Sequence, residues 1–324
     1  MATLVSSGTT KVSIRPQGRT VIIGERCNAL GYRNVAKAAA TGKWSVIVNR
    51  AKEQLAAGAQ IINVNMVGVK LDNGEPVSEM KLLPDACRAI LKAVDAPLSI
   101  DFGSAEALDA AVAAIREMKG PEARPLINSN SAESGKRDLV FAVAAKYKLP
   151  LILLPCDDRG IPTTAEARID VATKLIAHGE KEYGIPREDC IIDGIAIGVA
   201  TDLESKPGLV TMETMRRVKS ELGCSCMLGA SNASFGLPQR KLFDTYYLAV
   251  AVAAGMNVAL MDPTHEPSRW AILSADVLTG ADVGCRNYLQ AHRALEKAQQ
   301  AAAAAAGGAA VPVGSSTVSA GEKA

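Results

Sequence analysis

Hydrophobic positions along the chain come in short blocks, and each block stops at Asp, Asn or Glu, or just short of one. They run from Thr20 to Glu25, Ile61 to Asn65, Leu98 to Asp101, Leu126 to Asn128, Leu151 to Leu154, Ile191 to Asp193, Met227 to Gly229 and Val258 to Asp262. Blocks this short, without an alternating polar face, read as strands buried on both sides. Between them lie longer stretches of helical spacing, beginning near Trp44, Ser78, Ala105, Gly135, Thr164, Thr211, Lys241 and Ser268. Ser104, followed by Glu106, is an entry signal, and Ser134 is expected to cap the segment running to Lys146.

Strand and helix alternate, which is the pattern of repeated βα units around a parallel sheet. About eight strands, each followed by a helix, favour an α/β fold of the closed (β/α)8 TIM-barrel type over an open doubly wound sheet. The first strand ends in Gly24-Glu25-Arg26-Cys27-Asn28 and carries no Gly-x-Gly-x-x-Gly, which argues against the open dinucleotide-binding alternative. Residues 19–298 are therefore assigned to one barrel domain. Residues 1–18, rich in Ser, Thr and small side chains, are expected to be a loose arm or a lid over one barrel end. Residues 299–324, a polyalanine run followed by Gly, Pro and Ser, are expected to be a disordered tail.

Composition narrows the function. Lys and Arg number 36 against 34 Asp and Glu, so the basic excess of a nucleic-acid binder is absent. No apolar run approaches the roughly 20 residues of a membrane span, and the N-terminus lacks a secretory pattern, so the cytoplasm is the expected compartment. Seven scattered cysteines, an odd number, read as reduced structural thiols. There is no His-x-x-x-His and no phosphate-binding loop, and no metal site is expected. His265, just beyond the last strand, is the one histidine whose position suits a site.

What remains is a ring of Asp and Asn at strand ends, where barrel chemistry is carried. A carboxylate accepts two donors side by side, and an amide both donates and accepts. That set suits a flat heterocycle such as the amino-pyrimidinone edge of a pterin. Each such residue has an alternative reading as a helix cap or turn closure. Capping alone is a poor explanation for their occurrence at nearly every strand end.

These residues carry a family likeness. From about Thr20 to Ser274 the sequence resembles the methyltetrahydrofolate:corrinoid methyltransferases and the folate domain of cobalamin-dependent methionine synthase, pterin-binding barrels related to dihydropteroate synthase. The segments that carry it are Ile23 to Asn28, Ala57 to Asn65, Ile100-Asp101, Leu126 to Ser129, Ile192-Asp193 and Ser231 to Phe235. The resemblance implies that Asp101, Asn128 and Asp193 hold the pterin edge, with Asn65 beside them, and that Asn232 lies near N5, the methyl-bearing nitrogen. It implies pocket roles for Arg240 and Glu25. Asn232 and Asp193 are the candidate catalytic residues. Tetrahydrofolate or methyltetrahydrofolate would be the small-molecule substrate.

The family commonly forms homodimers. This sequence contains no Asp-x-His-x-x-Gly corrinoid-binding loop, so cobalamin or a related corrinoid is expected on a separate protein. Departures from the family pattern are Asn63-Val64-Asn65 in place of Asp-x-Asn, Asp193-Gly194 in place of Asp-Pro, and Asp101-Phe102 in place of Asp-Ser. Dihydropteroate synthase is the nearest rival, but its Ser-Phe-Ser-Asp-Gly-Gly loop is replaced by Asn28-Ala-Leu-Gly-Tyr-Arg33. A pterin-binding protein without catalysis is the non-enzyme alternative.

Overall fold

The computed structural model describes residues 2–201 and 204–305. An N-terminal hairpin, β1 (Thr3–Ser7) and β2 (Lys11–Ile14), precedes the first barrel strand, β3 (Val21–Asn28). Two helices follow, α1 (Arg33–Ala40) and α2 (Trp44–Ala56). Then come β4 (Ile61–Asn65), α3 (Glu79–Ala93), β5 (Leu98–Asp101), α4 (Ala105–Lys119), the short β6 (Ala123–Arg124), β7 (Leu126–Ser131) and α5 (Arg137–Tyr147). The second half runs β8 (Leu151–Leu154), α6 (Ala165–Tyr183), β9 (Cys190–Asp193), α7 (Pro207–Arg217), β10 (Ser225–Gly229), α8 (Arg240–Ala253), β11 (Val258–Met261), α9 (Glu266–Leu278) and α10 (Arg286–Ala305). Eight strands close a parallel barrel in the order β10-β11-β3-β4-β5-β7-β8-β9, the (β/α)8 architecture the strand blocks imply.

Side chains alternate across each strand, so the barrel interior receives every second residue. In the N-terminal half these are mostly apolar: Val21, Ile23, Ile61, Leu126, Ile152, Ile191, Met227 and Val258 form one buried cluster, and β5 contributes the buried Ser99. Two positions further on, the same parity delivers Glu25 after Ile23, Asn63 after Ile61, Asn128 after Leu126 and Asp193 after Ile191, and four positions after Ile61 it delivers Asn65. The interior thus changes from hydrocarbon to polar along its axis. A second, larger apolar cluster lies between strands and helices.

Residues 1–18 contain an ordered element where a loose arm is one of the two expectations. β1 pairs antiparallel with β2 and with β6, and Val5 and Ile14, both fully buried, join the interior apolar cluster. The hairpin therefore closes the N-terminal end of the barrel, opposite the polar one. Gly8, at φ +103°, makes the turn between the two strands.

Most helix starts fall within two residues of the expected positions, but α7 begins at Pro207, four residues before Thr211, and α1 at Arg33 was not expected. Ser104 accepts from the backbone N–H of Ala107 at 3.2 Å and caps α4. Ser134 does not cap α5: that helix begins after Lys136, and Ser134 donates through its own N–H to Asp158 at 3.0 Å. Helix α10 extends through the alanine run to Ala305. The rest of the expected tail, residues 306–324, lies outside the described residues. Among the described residues no helix is long and apolar enough to cross a membrane. The cysteines are free thiols, six buried and Cys285 partly so.

Candidate active site

Strand register assembles the first part of the site. Asn28 pairs with Asn65, Asn65 with Asp101 and Asp101 with Asn128, so four neighbouring strands bring these residues to one height at the C-terminal mouth. One level deeper, Asn63 accepts from the Asn128 amide at 3.3 Å. Burial raises the Asp101 carboxyl above its ordinary value, and the amides of Asn65 and Asn63, with Lys136, oppose that shift. Lys136 lies over the Phe102 ring at 4.9 Å, beside the same carboxylate.

Asp193 approaches from β9. Its Oδ1 accepts the N–H of Ile195 at 2.8 Å, and burial pushes its carboxyl up to about 6, against the opposing pull of that N–H and of the Arg168 guanidinium. Asx-type turns of this kind recur around the mouth: Asn28 accepts from Leu30 and Gly31, Asn65 from Val67, and Asp262 from Thr264. Turn closure and a mouth-facing position are thus not alternatives here, since one oxygen closes the turn and leaves the remaining polar atoms for other partners.

The β3 end departs from simple alternation. A bulge between Gly24 and Cys27 shifts the register against β4, so that Glu25 and Asn28 both reach the mouth while Cys27 turns outward to donate to the Ile47 carbonyl. Gln54, fully buried on α2, holds the bulge by accepting from the Arg26 N–H at 2.8 Å. Gly24 is required there, because a Cβ would stand 2.5 Å from Gln54 Oε1.

A cavity of about 630 Å³ opens between the ends of β3, β10 and β11 and the starts of α8 and α9. Glu25, Asn28, Asn232, Arg240, Asp244 and His265 are among its walls. Arg240 holds the turn after β10 by donating to the Ser231 carbonyl at 2.6 Å and to Ser234 Oγ at 3.1 Å. Ser231 donates to Glu25 at 3.4 Å. His265 contacts Ser268 through Nδ1 at 2.8 Å. The amide of Asn232 makes no hydrogen bond to protein among the described residues, which leaves it exposed to the cavity.

All seven candidate residues therefore surround one mouth, in two groups: Asn65, Asp101 and Asn128 in one row with Asp193 further round the ring, and Glu25, Asn232 and Arg240 on the cavity wall. Lys136, Ser231, Asp244 and the buried Arg168 were not foreseen. Serine and aspartate on a loop or helix carry no distinguishing sequence signal, whereas Lys136 follows a strand end closely enough to have been considered.

The model of the pterin binding enzyme family matches residues 24–262, the segment that contains this mouth. The chain belongs to the pterin-binding enzyme family. It is 31% identical over 277 residues to the methylcorrinoid:tetrahydrofolate methyltransferase of Eubacterium limosum, covering 84% of this chain and 96% of that one. This places it with the methyltetrahydrofolate:corrinoid methyltransferases. It is 27% identical to the methionine synthase of Mycobacterium tuberculosis over 79% of this chain, but only 21% of that much longer protein. Among solved structures, dihydropteroate synthases from Yersinia pestis (TM-score 0.60, 17% identity, 87% of this chain and 99% of that one) and Vibrio fischeri (TM-score 0.62, 15%, 86% and 98%) share the fold.

In this pterin-binding enzyme the charge balance of the cavity has a measurable consequence. Burial, reinforced by the nearby charge of Asp262, raises Glu25 from 4.5 to about 7, with Ser231 pulling the other way. A carboxyl whose folded value exceeds its unfolded one stabilises the fold below the unfolded value, and that contribution is lost as pH rises through the folded value. Glu25→Gln should therefore raise the melting temperature by about 2 °C or more at pH 8 and by less at pH 5. Melting curves at the two pH values test this; a gain independent of pH would show that Glu25 carries no strained charge.

Proposed function

We propose that this pterin-binding enzyme moves a methyl group between N5 of tetrahydrofolate and the cobalt of a corrinoid carried on a separate protein. The reading is supported by the single mouth at which Asn65, Asp101, Asn128 and Asp193 end their strands and by Asn232 on the adjoining cavity wall, whose amide has no hydrogen-bond partner among the described residues. The Asp and Asn groups hold the amino-pyrimidinone edge, and Asn232 addresses N5.

The chemistry asks for such a group. When the methyl leaves N5, the nitrogen would depart as an anion unless it gains a proton or a hydrogen bond that strengthens in the transition state. In the reverse direction the same group keeps N5 placed for attack. An amide serves both without carrying charge. The carboxylates of Asp101 and Asp193 orient the ring and favour positive charge on it. A catalyst lowers the barrier both ways, and the Eubacterium relative is named for transfer to tetrahydrofolate.

A corrinoid protein would dock over the mouth, where Leu30, Leu71, Ile161 and Phe235 stand exposed on the loops after β3, β4, β8 and β10. A homodimer is supported by an outward apolar strip on α8, Leu242, Tyr246 and Val250, each at least half exposed, beside Leu278 of α9; sedimentation reads the subunit number.

The deciding experiment mixes the protein with methyltetrahydrofolate and cob(I)alamin without oxygen and follows methylcobalamin by its spectrum. Conversion above the protein-free rate is expected. Tight folate binding without conversion would point to an obligatory corrinoid protein or a binding module. Absence of folate binding would sink the reading.

A further inference from the structure

Arg168 on α6 is among the largest fully buried side chains of the protein, at 1% exposure. Among the described residues its hydrogen bonds go to neutral oxygens: Nε donates to the Pro162 carbonyl at 3.0 Å, and Nη1 donates to the carbonyls of Gly194 and Ile195 at 2.9 and 3.0 Å. Thr211 of α7 lies within 3.4 Å of Nη1 and itself donates to the Ile195 carbonyl at 2.8 Å. The segment so held follows Asp193 directly. Ile195 sits at φ +54°, a conformation that a β-branched side chain does not keep without restraint. Its N–H is the one that Asp193 Oδ1 accepts.

A buried guanidinium without a directly bonded carboxylate needs an opposite charge nearby. Asp193 and Arg168 supply it to one another: each favours the charged form of its partner. Among the described residues, the other ionisable groups around Asp193 are Cys226 on β10, Cys156 after β8 and Tyr247 on α8. Burial pushes Cys156 to about 11, Tyr247 to about 12 and Cys226 well above the ordinary thiol value, so all three are neutral near pH 6.

We propose that Arg168 is the positioning residue of the pterin site, clamping the turn that presents Asp193 and holding a positive charge behind it. Arg168 acts through Asp193 and is not itself a contact of the substrate. The proposal rests on the functional reading above only for its binding readout. Its electrostatic half can be read without ligand.

The experiment follows the Asp193 carboxyl carbon by 13C NMR across pH in the ligand-free protein, and methyltetrahydrofolate affinity by calorimetry, in wild type, Arg168→Met, Arg168→Lys and Thr211→Val. Arg168→Met should move the Asp193 midpoint upward by about one unit or more, as expected for removing a nearby opposite charge, and weaken folate binding at least tenfold at pH 7. Arg168→Lys keeps the charge and loses the fork, so the midpoint should hold while binding weakens. Thr211→Val should weaken binding a few-fold with no midpoint change. A folded Arg168→Met with the wild-type midpoint overturns the proposal. Should that variant not fold, Arg168→Lys decides, and a moved midpoint or undiminished binding overturns it. If wild type titrates as described but binds no folate, the functional reading fails and the clamp stands.

Discussion

Asn232→Ala is expected to slow methyl transfer about a hundredfold while leaving methyltetrahydrofolate affinity within a few-fold, as for a lost donor that acts in the transition state. The structure makes this a clean deletion. Among the described residues the side-chain amide has no hydrogen-bond partner, so its removal orphans no buried group there. The backbone that carries it is fixed independently: Ala233 N–H bonds the Ala230 carbonyl at 3.1 Å, Phe235 N–H bonds the Asn232 carbonyl at 3.2 Å, and Arg240 grips Ser231 from α8. Gly229 leaves the approach open, since a Cβ there would come within 3.4 Å of Asn232 Nδ2. One positioned donor is worth ~3 kcal/mol by analogy with an oxyanion-hole amide, hence the two orders of magnitude. Single-turnover rates with cob(I)alamin, alongside calorimetric affinity, check it. Unchanged transfer would remove Asn232 from the mechanism, and loss of binding equal to loss of rate would recast it as a ground-state contact.

The barrel was legible because parallel strands covered on both faces read as uninterrupted apolar blocks. β4, β5 and β8 span the same residues in sequence and structure. Most of their polar ends were legible too: Asn65, Asp101, Asn128 and Asp193 each end an apolar block at the mouth, whereas the blocks ending at Leu154 and Gly229 stop short of a polar residue. What the blocks could not show is register. That Asn28, Asn65, Asp101 and Asn128 stand in one row depends on strand pairing and on the bulge at Glu25-Arg26, and a period of two does not announce a bulge. The hairpin did leave a signal: two runs carrying β-branched residues flank Ser7-Gly8-Thr9-Thr10, a hairpin turn pattern obscured by the abundance of serine and threonine. Arg168 left none. Within the helical spacing of α6 it reads as one more charged residue, and its burial follows from where α6 packs against the turn after β9.

Asp193→Asn should lower methyltetrahydrofolate affinity by about one to two orders of magnitude, the difference expected between charge-assisted and neutral hydrogen bonds at a buried site. Asparagine keeps the size of the side chain and an oxygen for the Ile195 N–H, so the turn should survive. What disappears is the negative charge that two adjacent donors of the pterin edge would share, and with it the one carboxylate charge among the described residues that favours ionised Arg168. The pH dependence makes the argument sharper. The Asp193 carboxyl titrates at about 6, and the binding form is the anion, so wild-type affinity should rise as pH increases through that value and level off above it. In the asparagine variant that rise should vanish, leaving weak binding that does not change between pH 5 and 8. Calorimetry across this range separates the outcomes. An unaltered dissociation constant would make Asp193 a turn residue alone, whereas a weakened constant that kept its pH dependence would move the titrating group to Asp101 or Glu25.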